Sequence, residues 1–289
     1  MVDFFVLPED CIAKLLSCTS PRDVSRLTLV ASNVRSTVDS DVVWEMFLPK
    51  NYHKLVWQSQ LVFSSKKELY FQLCNRPLLI DGGTKSFWLE KWSGKKCYML
   101  ATRDLDIVWG DTPLYWSWDR LPESRFREVA ELVSVCWLEI HGKIDTCMLS
   151  PNTTYAAYLV FKSTATTYGF EYQPVEGWVA IGECRSEART VYLDTAGEQR
   201  QRFQIVPRIF RHTFASMVGR QPSPPGESQS SSQYPKERED GWFEIEFGEL
   251  FYESGDDGEL EVCLQEVKSG MWKSGLILEG IEIRPKRNN

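Results

Sequence analysis

With 289 residues, of which 43% are hydrophobic and 13% aromatic, the chain can build a small and a medium folded unit, and its composition excludes global disorder. Asp and Glu outnumber Lys and Arg by 40 to 33, the formal charge is -7, and no basic block exceeds Arg284-Pro-Lys-Arg, which argues against nucleic acid as the main ligand. The opening MVDFFVLPEDC lacks the basic and apolar stretches of a signal peptide, and YAAYLVF (Tyr155 to Phe161) is far short of the roughly 20 residues of a membrane span, so a soluble chain with no membrane partner is expected.

The first elements are helical in pattern. Pro8-Glu9-Asp10 puts proline and acids ahead of Ile12, Leu15 and Leu16, which share one helix face. Ser20-Pro21-Arg22-Asp23 supplies an N-cap serine, a proline at the first helical position and an acid, ahead of Val24, Leu27 and Val30 or Ala31. Ser40-Asp41 begins a third segment, apolar at Val43, Trp44, Phe47 and Leu48 until Pro49. Residues 51–79 continue helical in pattern, most clearly from Lys66 to Leu73, until Arg76-Pro77 stops the run. Turn signals at Asp81-Gly82-Gly83-Thr84 and Trp92-Ser93-Gly94-Lys95 follow, and the period changes to strand-like near Gly82.

From Cys97 onward the apolar runs are short and rich in β-branched and aromatic residues. They are Cys97 to Leu100, Leu105 to Trp109, Val133 to Ile144, Tyr155 to Lys162, Trp178 to Ile181, Thr190 to Leu193, Trp242 to Phe251, Glu259 to Val267 and Leu276 to Ile283. Short strands at this spacing predict a β-sandwich or barrel, so the fold class is a multidomain α + β chain. Residues 219–240, containing PSPPGESQSSSQYPKERED, have the Pro/Ser/Gln-rich composition of a mobile surface loop.

Signals for catalysis are thin. The chain has no G-x-G-x-x-G, P-loop, H-E-x-x-H or G-x-S-x-G, and its three histidines are scattered. Eight cysteines without a Cys-x-x-Cys read as reduced thiols, and neither a metal nor a cofactor is expected. Paired acids in DGELEVCLQEV suggest the two carboxylates of a glycosidase, but Glu259 and Glu261 share a strand face opposite Leu260, Val262 and Leu264, which equally describes a solvated edge. In IVWGDTPLYW, Trp109 and Trp116 flank one tight turn; they suit either a core or a platform on which the apolar face of a sugar stacks.

Leu7 to Pro49 strongly resembles the F-box of plant F-box proteins. Cys97 to Lys286 resembles the phloem protein 2-type, or Nictaba-like, lectin domain through the ordered blocks ATRDLDIVWGDTPLYWSW, VAELVSVCWLEIHGKI, YAAYLVFK, DGWFEIEFGELF, GDDGELEV and WKSGLILEGIEIRPK. The resemblance divides the chain into an F-box at 1–50, a helical linker region at 51–96 and a lectin-like β-sandwich of jelly-roll type at 97–289.

It implies that Leu7, Pro8, Ile12, Leu15 and Trp44 serve a Skp-type adaptor of a cullin ubiquitin ligase, and that Trp109, Trp116, Glu259 and Glu266 bind a glycan or glycoprotein. The implied protein is a non-catalytic recruiting subunit of the nucleus and cytoplasm; the alternative is an F-box adaptor whose β-domain binds protein targets without carbohydrate. On the glycan reading both tryptophans are partly exposed, with the two glutamates opposite them. Glu259 and Glu266 have opposite strand parity, so their joint use requires a bulge or a strand end between them. The insertion from Gly169 to Asp240 is placed to cover or extend the site.

Overall fold

A computed structural model describes residues 9–30, 35–171, 173–196, 233–254 and 258–286. Among the described residues six α-helices come first: α1 (Glu9–Ser17), α2 (Pro21–Val30), α3 (Arg35–Val38), α4 (Asp41–Glu45), α5 (Tyr52–Ser59) and α6 (Lys66–Asn75). Ser20 caps α2 reciprocally, accepting the Asp23 N–H at 3.2 Å while its hydroxyl donates to the Asp23 carboxylate at 2.7 Å. Ser65 accepts the Glu68 N–H at 3.2 Å and opens α6 in the same way. Trp44 is the centre of this unit. Its indole N–H donates to the Val38 carbonyl at 2.7 Å, and its ring packs 5.2 Å from Tyr70 and 5.3 Å from Phe71.

Fifteen strands follow among the described residues. The first seven are β1 (Leu78–Ile80), β2 (Lys85–Leu89), β3 (Lys96–Ala101), β4 (Asp106–Ile107), β5 (Trp116–Asp119), β6 (Val129–Leu132) and β7 (Leu138–Asp145). The rest are β8 (Thr153–Tyr168), β9 (Pro174–Ile181), β10 (Cys184–Arg185), β11 (Arg189–Tyr192), β12 (Lys236–Glu237), β13 (Phe243–Tyr252), β14 (Glu259–Glu266) and β15 (Ser274–Pro285). A nine-stranded sheet runs β1-β2-β3-β15-β8-β13-β12, with β6 also paired to β15 and β5 to β6. A six-stranded sheet runs β10-β9-β14-β7-β4, with β11 also paired to β9. The pairings are antiparallel, and the sheets approach closely where side chains are missing: a Cβ on Gly177 of β9 would come within 2.7 Å of Phe247, and one on Gly248 of β13 within 2.7 Å of Val179.

Two expectations need correction. Residues 51–96 are not a helical linker, because β1 and β2 already belong to the larger sheet. Helix α6 packs on β2, the Tyr70 hydroxyl donates to the Lys91 carbonyl at 3.1 Å, and one apolar core runs from Ile12 to Ile283 through both units. The Gly82 turn, read from sequence as a boundary, is the bend between β1 and β2; strands of three and five residues are too short for a legible period. In the Pro/Ser-rich tract, residues 219–232 lie outside the described residues. Residues 233–240 are docked rather than mobile: the Tyr192 N–H donates to the Gln233 carbonyl at 2.9 Å, Tyr234 stacks on Tyr192 at 5.2 Å, and β12 pairs with β13.

Candidate functional site

Strand β15 has two different ends. At its Pro285 end lie helix α2, the β2–β3 turn and Phe251, which line one cleft with Pro285 and Lys286. At its Ser274 end, roughly 35 Å away by strand rise, four connections come together: the turn after β4, the β6–β7 link, the end of β8 and the β14–β15 link. They are stitched by backbone hydrogen bonds. The Val133 N–H donates to the Tyr115 carbonyl at 3.0 Å, Val135 and Lys273 exchange bonds of 2.9 and 2.8 Å, and the Val108 N–H donates to Glu139 at 3.1 Å.

This frame holds large apolar side chains in water. Trp109 is 42% exposed, Trp137 42% and Trp272 51%, with Met271, Val133 and Tyr168 also exposed around the same end. Three indoles from three separate connections are thus exposed at this one end. Trp109 sits at φ +60°, in the left-handed region that a bulky residue seldom adopts. The turn enforces this, with the Gly110 N–H bonded to Ile107 at 2.8 Å, the Thr112 N–H to Trp109 at 2.9 Å, and the Trp109 ring 5.0 Å from Tyr115. The Trp137 indole donates to one oxygen of Glu139 at 2.7 Å, and His141 contacts the other at 2.8 Å. Hydrogen bonds from His141 and Trp137 hold the Glu139 carboxyl below its ordinary value, so this acceptor stays ionised beside an exposed ring.

Of the four glycan residues implied by family resemblance, Trp109, Trp116 and Glu266 map to this end, and only Trp109 is open to a ligand. Trp116 is 2% exposed. As the first residue of β5 it pairs with Leu132 of β6, and the alternation that turns Tyr115 toward Trp109 turns Trp116 into the core. Its expected exposure is therefore corrected. Glu266 is also buried. Burial pushes its carboxyl upward, yet hydrogen bonds from Lys273 and Ser269 outweigh this and hold it below the ordinary range. It forms an ion pair with the fully buried Lys273 and accepts the Ser269 N–H and hydroxyl, both at 2.9 Å. Lys273 in turn donates to the Met271 carbonyl at 2.7 Å. Glu266 is thus the anchor of the loop that displays Met271 and Trp272, rather than an open acceptor.

Glu259 is at the other end of β14, roughly 23 Å away by strand rise. The β14–β7 register is continuous from Glu259 opposite Asp145 to Glu266 opposite Leu138, so no bulge reconciles their opposite parity. Glu259 is exposed and Glu261 half-buried, and the two share Lys143 at 3.3 and 2.6 Å, the solvated edge that strand alternation describes. The missed contributors are Trp137, Glu139, Met271 and Trp272. Their signal was present in VCWLEIH and MWK, where an aromatic residue stands just outside a strand.

In the helical unit, Leu7 and Pro8 lie outside the described residues. Ile12 and Trp44 are core residues, which corrects their assignment as contacts: the short helices have no other centre to pack on. Leu15 is exposed on α1, and Val42 of α4 and Met46, the residue that caps its C-terminus, are exposed beside it on the helix packed against α1. Among the described residues no group of three His, Cys, Asp or Glu side chains could hold a metal, and no helix is long and apolar enough to cross a membrane.

Comparison with known proteins bears on the whole chain. Residues 95–285 match the phloem protein 2 family. The chain is similar to F-box protein PP2-B1 of Arabidopsis thaliana, with 44% identity over 99% of this chain and 91% of that one. It is similar to F-box protein PP2-B10 of the same plant, with 44% identity over 98% of this chain and 94% of the relative, and to F-box protein PP2-B15, with 42% identity over 97% and 96%.

Proposed function

Because this chain belongs to the phloem protein 2 family and has F-box relatives along nearly its entire length, we propose that it recruits substrates to an SCF-type (Skp-cullin-F-box) ubiquitin ligase. On this reading the β-unit captures glycans or glycoproteins and makes no bond itself, the helical unit is an F-box docked on the Skp-type adaptor, and the protein acts in the nucleus and cytoplasm.

The observation that carries the reading is the aromatic end of the sandwich. Trp109, Trp137 and Trp272 offer flat apolar faces for the C–H faces of a sugar, and Glu139 offers an ionised acceptor for its hydroxyls. The helical unit joins the opposite end of β15, so captured ligand and ligase occupy separate surfaces. For the adaptor, Leu15, Val42 and Met46 supply an exposed apolar patch.

A second reading, capture of protein targets without carbohydrate, is favoured by the burial of Trp116 and Glu266 and by the presence of Met271 and Val133 among the indoles. A glycan array probed with the full chain, alongside the variant Trp137→Ala with Trp272→Ala, separates the two. Glycan binding that weakens by about 1–3 kcal/mol per lost indole with an unchanged melting temperature supports the first reading. Absence of glycan binding by the parent protein leaves the second.

A further inference from the structure

Where the helical unit meets the sheets, a cleft of about 860 Å³ is lined by Arg22 and Arg26 of α2, Trp92 and Lys95 of the β2–β3 turn, Phe251 of β13 and Lys286 after β15. Its walls are fixed. The Arg22 N–H donates to the Trp92 carbonyl at 3.4 Å, and the Lys286 N–H to the Thr154 carbonyl at 2.8 Å.

The charges in this cleft are unevenly matched. Lys286 is paired with Glu246 and Glu249. The Glu90 carboxylate is occupied by its own turn, accepting the N–H groups of Trp92 at 3.0 Å and Ser93 at 2.8 Å and the Ser93 hydroxyl at 2.9 Å. Arg22, Arg26 and Lys95 have no ion-pair partner among the described residues, Lys95 donating only to the Pro151 carbonyl at 2.9 Å, in a chain whose net charge is -7. Arg22 and Arg26 are also one helical turn apart, a like-charge spacing that is mildly unfavourable until an anion lies across it. Trp92 and Phe251 stand exposed in the same cleft, with the Arg22 guanidinium 5.8 Å and the Lys91 ammonium 5.5 Å from the Trp92 ring.

We propose that this cleft binds an acidic peptide segment that also bears an aromatic or large apolar side chain. Cations spread over α2 and the β2–β3 turn match a row of carboxylates better than one compact anion, and the two exposed rings give an apolar side chain a place to pack. The site is independent of the glycan reading and lies at the other end of β15.

The test is fluorescence anisotropy of the full chain with a labelled peptide of Asp and Glu residues around one Phe, against its Asn/Gln counterpart and inorganic tripolyphosphate. The acidic peptide binds and the neutral one does not, affinity falls as NaCl rises from about 50 to about 200 mM, and Arg22→Glu with Arg26→Glu lowers it on the order of tenfold or more. Lys95→Glu, on a turn outside the helices, gives a smaller loss and serves as the probe if the α2 variant unfolds. Phe251→Ala weakens the Phe-bearing peptide more than one with Ala in its place. Equal binding of the neutral peptide, indifference to charge reversal, or binding of tripolyphosphate without the peptide overturns the proposal.

Discussion

The two ends of β14 carry glutamates of one sequence block with opposite fates. Glu266 is buried against a buried lysine and takes hydrogen bonds from the loop beyond it, whereas Glu259 shares a solvent-exposed lysine with Glu261. The chemistry of the side chain is identical. What differs is the dielectric around it: a desolvated charge must be matched by its partner, while a solvated one is already matched by water. The same contrast separates Trp116 from Trp137, two indoles at one end of the sandwich, one filling the core and one standing over an ionised acceptor.

The sharpest way to break this contrast is to remove each glutamate. Glu266→Ala leaves Lys273 charged and unpaired in the core and is expected to cost about 3–5 kcal/mol, measured by urea unfolding, whereas Glu259→Ala stays within roughly 0.5 kcal/mol. Equal effects would mean that burial does not distinguish the two.

The tryptophans form the second pair. Trp116→Ala empties a core site and is expected to destabilise by about 3–5 kcal/mol. Trp137→Ala changes thermal stability by less than about 1 kcal/mol and acts instead on ligand binding. A Trp116→Ala protein that melts like the parent would return that indole to the surface.

Acid gives the finer test. Glu266 has a folded-state value lowered from the ordinary 4.5, so its ionised form contributes stability that is fully present above that value and is lost as pH falls through the lower folded one. Melting temperatures recorded from about pH 6 down to about pH 3 should fall less steeply for Glu266→Gln than for the parent. Parallel curves for parent and Glu266→Gln would remove Glu266 from its anchoring role.

The helix start at Ser20 and the strand-rich region from Cys97 onward belong to the sequence alone, because capping chemistry and residue period act over a few neighbours. Family membership was legible in the same way, from ordered blocks spread along the chain. The short strands β1 and β2 were not legible, since three and five residues show too little period, and pairing with β3 is what makes them strands. Nor was the division between anchor and contact. Trp44, Trp116 and Trp137 are the same side chain in similarly apolar surroundings of sequence, yet Trp44 is enclosed by Tyr70 and Phe71, Trp116 faces the core from β5, and Trp137 has water on one side. Only tertiary structure decides this, because burial depends on which distant strand or helix closes over a residue, and that partner lies beyond the reach of any local pattern.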